Sequence, residues 1–405
     1  VEQAILVDTF PASKRAVAFA LYSMAIVSAP AIGPPLGGWI TDSFSWRWVF
    51  FINIPIGVIS LILTNRLVSD PPEFKKEVET ARSAGKLRID YLGILLLAVG
   101  FACLEVVLDR GQREDWFESS FIVSFFVMAI VALLTAVIWE LRQPEPVVEI
   151  RLLKERNFAL ANSFYFLFGF VLFGSTVLIP QMLQSLYGYT ATNAGLVLGP
   201  GALVIVVMAP LVARMVKRIP VAWMIAFGFT ILGCAMWHFA SFNLATDYGK
   251  EAWARAVQGF GLAFLFVPTS QLAYSYLAKD KNNKASSMTN LFRNQGGSFG
   301  IAFVTTVLAR RAQFHQSVLA THITSTNRVF ASTLASITHR FVQHGYSAPD
   351  AVSSAMAQIS AIVERQANSL AFLDCFWLLG AVAFFGPVLA LFIRRFNQGG
   401  KAPVH

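Results

Sequence analysis

Charge is scarce in this sequence. Of 405 residues only 14% are Asp, Glu, Lys or Arg, against 56% hydrophobic, and the mean hydropathy is +0.58. A soluble domain carries roughly 25% charged residues, so a water-soluble globule is excluded. Cysteine is scarcer still. Cys103, Cys234 and Cys375 all lie in or beside apolar runs, with no partner at metal-ligand spacing. They read as small buried hydrophobes, which excludes a disulfide or zinc framework. Phosphate loops of the GxxxxGK[ST] type, HExxH pairs and nucleophile elbows are lacking too. The chain is therefore not read as an ATP-driven pump, a membrane hydrolase or any other enzyme, and no metal or other cofactor is called for.

What is present is long and apolar. Runs near 18–40, 48–66, 91–108, 119–139, 158–181, 194–213, 220–242, 254–277, 286–308 and 373–393 read as ten complete membrane spans. A helix needs about 20 apolar residues to cross the hydrocarbon with its backbone paired. The stretch from Asn157 to Ala213 holds no charge and is too long for one crossing. The turn chemistry of Leu186-Tyr187-Gly188-Tyr189-Thr190 divides it. The fold class is thus all-α and polytopic.

The net charge of +9 would suggest nucleic acid in a soluble protein. Here the bases sit in short loops, so topology explains them and no nucleic-acid partner is read. Alternate loops are basic: Lys14 and Arg15, then 75–88, 142–156, 214–218, 279–284, and Arg394 with Arg395. Those loops are placed in the cytoplasm, with both chain ends. The long loop 309–371 is placed outside despite Arg310 and Arg311, because long loops obey the rule weakly. Within it, apolar positions at three-and-four spacing predict a helix over 350–372. His315, His322, His339 and His344 read as solvated loop residues, not metal ligands.

The sharpest motif is Ala29-Pro30-Ala31-Ile32-Gly33-Pro34-Pro35-Leu36-Gly37-Gly38. Ala29, Gly33 and Gly37 share one face at four-residue spacing, which lets another helix approach closely. The prolines kink that helix. The motif resembles the span-five antiporter motif of the major facilitator superfamily. Trp46-Arg47-Trp48-Val49-Phe50-Phe51-Ile52-Asn53-Ile54-Pro55-Ile56-Gly57 resembles the start of span six in its fourteen-span drug/proton antiporter family, the EmrB/QacA type. Gly188-Tyr189-Thr190-Ala191 and Arg293-Asn294-Gln295-Gly296-Gly297-Ser298-Phe299-Gly300 resemble that family's spans of the C-terminal half. Ala29 departs from the family's usual Gly and is still small.

The resemblance implies a major facilitator fold with two helical bundles and two extra central spans. It divides the chain into the end of the N-terminal bundle (1–66), a cytoplasmic linker (67–90), the extra pair (91–139), a second linker (140–157), the C-terminal six-helix bundle (158–393) and a cytoplasmic tail (394–405). Residue 1 is Val rather than Met and the chain opens near an apolar stretch, Ala4 to Val7, so earlier spans are expected to be missing. The implied activity is proton-coupled export of drugs or other lipophilic compounds across a bacterial inner membrane by alternating access. The implied partners are lipophilic substrates, protons, membrane lipids, a periplasmic adaptor and an outer-membrane channel. Two alternatives stay open: a dedicated exporter of a fatty acid, siderophore or aromatic metabolite, and a membrane sensor or scaffold that does not transport.

Ionisable residues inside spans are functional candidates by default. Glu105, Arg293 and Asp374 are the candidates for proton binding or ion pairing. Arg293 either pairs with an acid across the bundle or snorkels to the surface. Phe is abundant, at 36 residues, and an aromatic cavity suits bulky lipophilic cations. Tyr165, Phe168, Gln181, Gln258 and Asn294 are the candidates for lining it.

Overall fold

The computed structural model describes residues 33–67, 90–144, 146–275, 277, 281–324 and 326–394, with Phe10, Lys14, Val17, Ala18 and Tyr22. Ala29 and nearly all of the expected 67–90 linker and 394–405 tail lie outside them. Among the described residues every regular element is helical. The helical run 33–43 is α1. It is followed by α2 (Trp48–Phe51) and α3 (Asn53–Leu67). Next come α4 (Tyr91–Arg110) and α5 (Ser120–Arg142), packed on each other. The rest are α6 (Arg156–Tyr187), α7 (Ala191–Met215), α8 (Val221–Phe239) and α9 (Tyr248–Ala273), then α10 (Asn282–Ala320), α11 (Arg328–Gln343), α12 (Ala348–Ala383) and α13 (Phe385–Ala390).

Local chemistry sets the helix ends. The Asp90 carboxylate accepts the Gly93 N–H at 2.9 Å and starts α4. Thr190 caps α7 by accepting the Asn193 N–H at 3.2 Å. Between α6 and α7 the chain turns at Gly188, whose φ of 70° favours glycine. The uncharged run is therefore divided where its turn residues fall.

Among the described residues eight helices are long and apolar enough to cross a membrane. That is two fewer than the ten spans expected. The run 18–40 lies mostly outside the described residues. The run 286–308 is helical within α10, but Asn290, Arg293, Asn294 and Gln295 make it too polar to qualify.

The segment 309–371 differs from the loop expected. It is largely helix: α10 continues to Ala320, α11 follows, and α12 runs unbroken from Ala348 to Ala383. The helix expected over 350–372 is the first part of α12. Two features explain the order. Ser347 caps α12 by accepting the Asp350 N–H, and Ile337, Ala355 and Ile359 form a small separate core between α11 and α12.

The main core lies among α6 to α10 and α12. α6 and α10 touch backbone to backbone. A Cβ on Gly296 would lie 2.8 Å from Phe166 Cα, and one on Gly300 would lie 2.8 Å from Phe170 Cα. Between lipid-facing helices apolar burial gives little drive, so such close van der Waals packing holds the pair together. The pair α4–α5 is tied to α10 through Glu105, whose carboxylate accepts the Ser298 hydroxyl at 3.0 Å. By contrast α2 and α3 bury no side chain among their described residues 48–66. Cys103 and Cys375 are buried as expected, but Cys234 is exposed, because it stands on the outward face of α8.

Candidate functional site

Two arrangements stand out, a seam and a buried polar column, and α7 belongs to both. The seam joins α1 to the first turns of α7. A Cβ on Gly38 would collide with the Ala191 carbonyl and come within 2.8 Å of the Thr192 nitrogen. Reciprocally, a Cβ on Gly195 would collide with the Pro34 carbonyl and come within 2.8 Å of Pro35 Cα. Each helix thus presents a glycine to the other's backbone. Pro34 fits the same logic, because its carbonyl is the surface that Gly195 meets. At the end of the seam Asp42 accepts the Thr192 N–H at 2.9 Å and its hydroxyl at 2.6 Å. That hydroxyl and amide hold the Asp42 carboxyl below its ordinary range.

The close approach falls at Gly38 rather than along the expected Gly33 and Gly37 stripe. Among the described residues neither Gly33 nor Gly37 has a neighbour within 4 Å of a Cβ placed there. The reason is rotational: Gly38 is buried on the α7 side, while Gly33 is exposed and Gly37 half-buried.

The polar column runs through α9. Gln258 is fully buried and donates to the Ser175 hydroxyl of α6 at 2.7 Å. Its carbonyl oxygen accepts from Arg255, which is only 6% exposed. Arg255 rests on α7, since a Cβ on Gly201 would lie 2.8 Å from the Arg255 carbonyl oxygen. One turn before Arg255 stands Glu251, 0% exposed, with neither carboxylate oxygen hydrogen-bonded among the described residues. Further along α9, the Ser270 hydroxyl meets the Tyr165 hydroxyl at 2.6 Å.

The sequence candidates scatter around this column. Tyr165 and Phe168 are buried and both pack against Phe266, with ring centroids 6.1 and 6.5 Å away. Gln258 is in the column itself. Gln181 and Asn294 are exposed and join neither the column nor each other. Arg293 is half-buried on α10 with no ion-pair partner among the described residues. Glu105 bonds Ser298, away from the column. Asp374 holds a separate cluster: the Arg311 Nε–H donates to it, and His315 Nε2 lies 2.7 Å from the same oxygen.

Arg255 and Glu251 were missed in the sequence reading, as was Asp42. Arg255 offered a signal, being a cation inside an apolar run. Glu251 stands beside Lys250 at a span edge and reads there as a solvated loop residue. Asp42 gives no local sign of its distant partner.

Comparison with known proteins accords with this architecture. The family model of the Major Facilitator Superfamily matches residues 1–301. The chain is 36% identical to the multidrug export protein EmrB of Escherichia coli K12 over 326 residues, covering 80% of this chain and 62% of that protein. It is 33% identical to EmrB of Haemophilus influenzae over 401 residues, 97% of this chain and 74% of that one. It is 34% identical to the fatty acid resistance protein FarB of Neisseria gonorrhoeae over 346 residues, 85% and 66% of the two chains. The chain therefore spans less than two thirds of the length of E. coli EmrB. A multi-pass helical chain with this seam and these relatives belongs to the Major Facilitator Superfamily, in its EmrB-like branch.

Proposed function

We propose that the full-length protein exports lipophilic compounds in exchange for protons, by alternating access across the bacterial inner membrane. The observation that carries the reading is the seam. Gly38 and Gly195 let two backbones meet, with one exposed polar latch, Asp42 to Thr192, at the edge. Such a contact is tight when closed, yet it separates without exposing a large apolar side chain. That is what a gate between two rocking bundles requires. The pattern of basic loops supports a latch on the outer side of the membrane, so that the seam seals the outer end and leaves the cytoplasmic end as the way in.

Energy comes from the proton gradient, through carboxyls that neutralise before they cross the occluded state. Asp374, with Arg311 and His315, stands at the outer end as a candidate ion-pairing cluster. The aromatic surroundings of Tyr165 and Phe168 supply apolar burial for a bulky substrate. The names of the EmrB relatives support drugs as cargo. A second reading, fatty-acid export, is supported by the name of FarB. An adaptor and an outer-membrane channel complete the path outward, and α11 with the first turns of α12 projects on that side.

Inverted vesicles holding the complete protein, a proton gradient and a quenchable pH dye test the proposal. Addition of lipophilic cations, uncouplers or a long-chain fatty acid is expected to release protons. The responding compound tells drug export from fatty-acid export. A protein that inserts but responds to none overturns the proposal.

A further inference from the structure

We infer that Glu251 is a proton-binding group of the C-terminal half, and that its deprotonation draws Arg255 away from Gln258. The inference rests on the proton-coupled reading above and names the group that titrates.

A fully buried carboxylate without hydrogen bonds or a counter-ion costs several kcal/mol. Glu251 has neither among the described residues: both oxygens are unpartnered and no cation lies within 4.0 Å. The arrangement seen is therefore that of the neutral acid. The obvious partner of the ionised form is Arg255, four residues on, the spacing at which Glu and Arg meet on a helix. In this state Arg255 is engaged with Gln258, and its Nε has no partner. Arg255 is thus held in reserve one turn away.

The groups facing Glu251 leave Arg255 as the available cation. On α9 itself Asp247 caps the helix, Tyr248 follows it, and Lys250 is exposed with no ion pair to Glu251 among the described residues. From the end of α6 and the turn after it come Tyr187 and Tyr189. Beyond them Arg365 of α12 acts on Tyr187 and donates to the Leu186 carbonyl. α7 offers no titratable group at this level, its Arg214 lying in the last turn. α8 offers only His238, which is exposed and packs on Phe242.

The step balances simply. The Glu251 O–H bond breaks, the proton leaves to water, and the carboxylate takes the guanidinium as counter-ion. Gln258 then loses its charged donor while still bonded to Ser175 of α6. The Arg255 backbone is packed on Gly201 of α7, and α7 carries the seam. One proton thus rearranges contacts on the helix that forms half of the gate.

The test compares the full-length protein with Glu251→Gln in proteoliposomes. Two processes are measured: drug uptake driven by a proton gradient, and drug–drug counterflow, which moves no net proton. Glu251→Gln is expected to lose gradient-driven transport at least tenfold, to keep counterflow, and to flatten the pH dependence of drug binding. Glu251→Asp is expected to restore coupling in part. A coupled wild type whose Glu251→Gln variant stays fully coupled overturns this inference alone. A wild type with no proton coupling overturns the exchange reading and this inference together. A carbodiimide that attacks neutral buried carboxyls gives a reading on unmutated protein. Modification of Glu251, found by mass spectrometry and paralleled by loss of coupling, supports the inference, and an unmodified Glu251 in an inactivated protein overturns it.

Discussion

Gly38 of α1 sits flat on the backbone of Ala191 in α7, with no volume left for even one added carbon. The reciprocal contact of Gly195 with Pro34 makes the fit two-sided. Since a wedge here has backbone on both sides, it cannot be absorbed by a rotamer change. Overpacking of this kind costs ~1–3 kcal/mol, a ~5–150-fold shift in a two-state balance. Gly38→Leu and Gly195→Leu are each expected to abolish drug-driven proton release while the protein still inserts. Gly33→Leu, at an exposed position, is expected to retain it. Vesicle assays normalised to membrane content check both.

The buried column gives a stability prediction. Gln258→Leu removes the acceptor for Arg255 and the donor to Ser175. Hydrogen bonds to charged groups contribute about 1.5–3 kcal/mol, so a clear fall in melting temperature is expected in detergent. Tyr165→Phe removes a neutral hydroxyl that meets Ser270 and should cost about 0.5–1.5 kcal/mol. If Gln258→Leu proved as stable as wild type, the column would not be a structural network.

A pH dependence follows from the linker between α5 and α6. Glu149 is buried and paired with Lys284 at 3.0 Å and Lys281 at 3.6 Å. Burial alone would raise its carboxyl, but the bonds and charges of the two lysines outweigh it, and the net shift is downward. A depressed folded value means that stability is fully present above the unfolded value, about 4.3, and is lost as pH falls through the folded one. The half-exposed lysines limit the effect to about 1 kcal/mol. Glu149→Gln should therefore lower the melting temperature by a constant amount from neutral pH down to about pH 5, with the difference vanishing in stronger acid. A difference that grows on acidification would contradict the pairing.

The Asp374 cluster gives a third test. Arg311→Ala leaves Asp374 with His315 alone and removes the permanently charged donor of the cluster. If the cluster takes part in coupling, the transport profile of this variant against the imposed proton gradient is expected to weaken, which vesicle assays at several gradients would detect. An unchanged profile would make the cluster a static tie between α10 and α12.

Much of this molecule was legible in its sequence, and the reasons are physical. Uncharged runs of span length leave the backbone no choice but helix, and Gly188 and Thr190 mark the α6–α7 turn by their own chemistry. The 309–371 segment misled because a polar composition looks like loop. Ile337, Ala355 and Ile359 bury between two amphipathic helices, and that pairing is a tertiary fact. The small-residue motif announced a seam, but which glycine touches depends on the rotation of α1 against α7. Gly38, next in sequence to the expected Gly37, carries the contact. Glu251 stayed hidden because a carboxyl beside Lys250 at a span edge looks solvated, and only the packing of α6, α7 and α8 on α9 removes the water.

The central claim is that the α1–α7 seam opens and closes in each transport cycle. A disulfide across it tests this directly. In the full-length protein, with native cysteines replaced, Asp42→Cys and Thr192→Cys set two thiols where the latch now stands. The account predicts that oxidation cross-links the pair and stops drug-driven proton release in vesicles, and that reductant restores it. Undiminished proton release from fully cross-linked protein would show that transport proceeds with the seam shut, and would contradict the account.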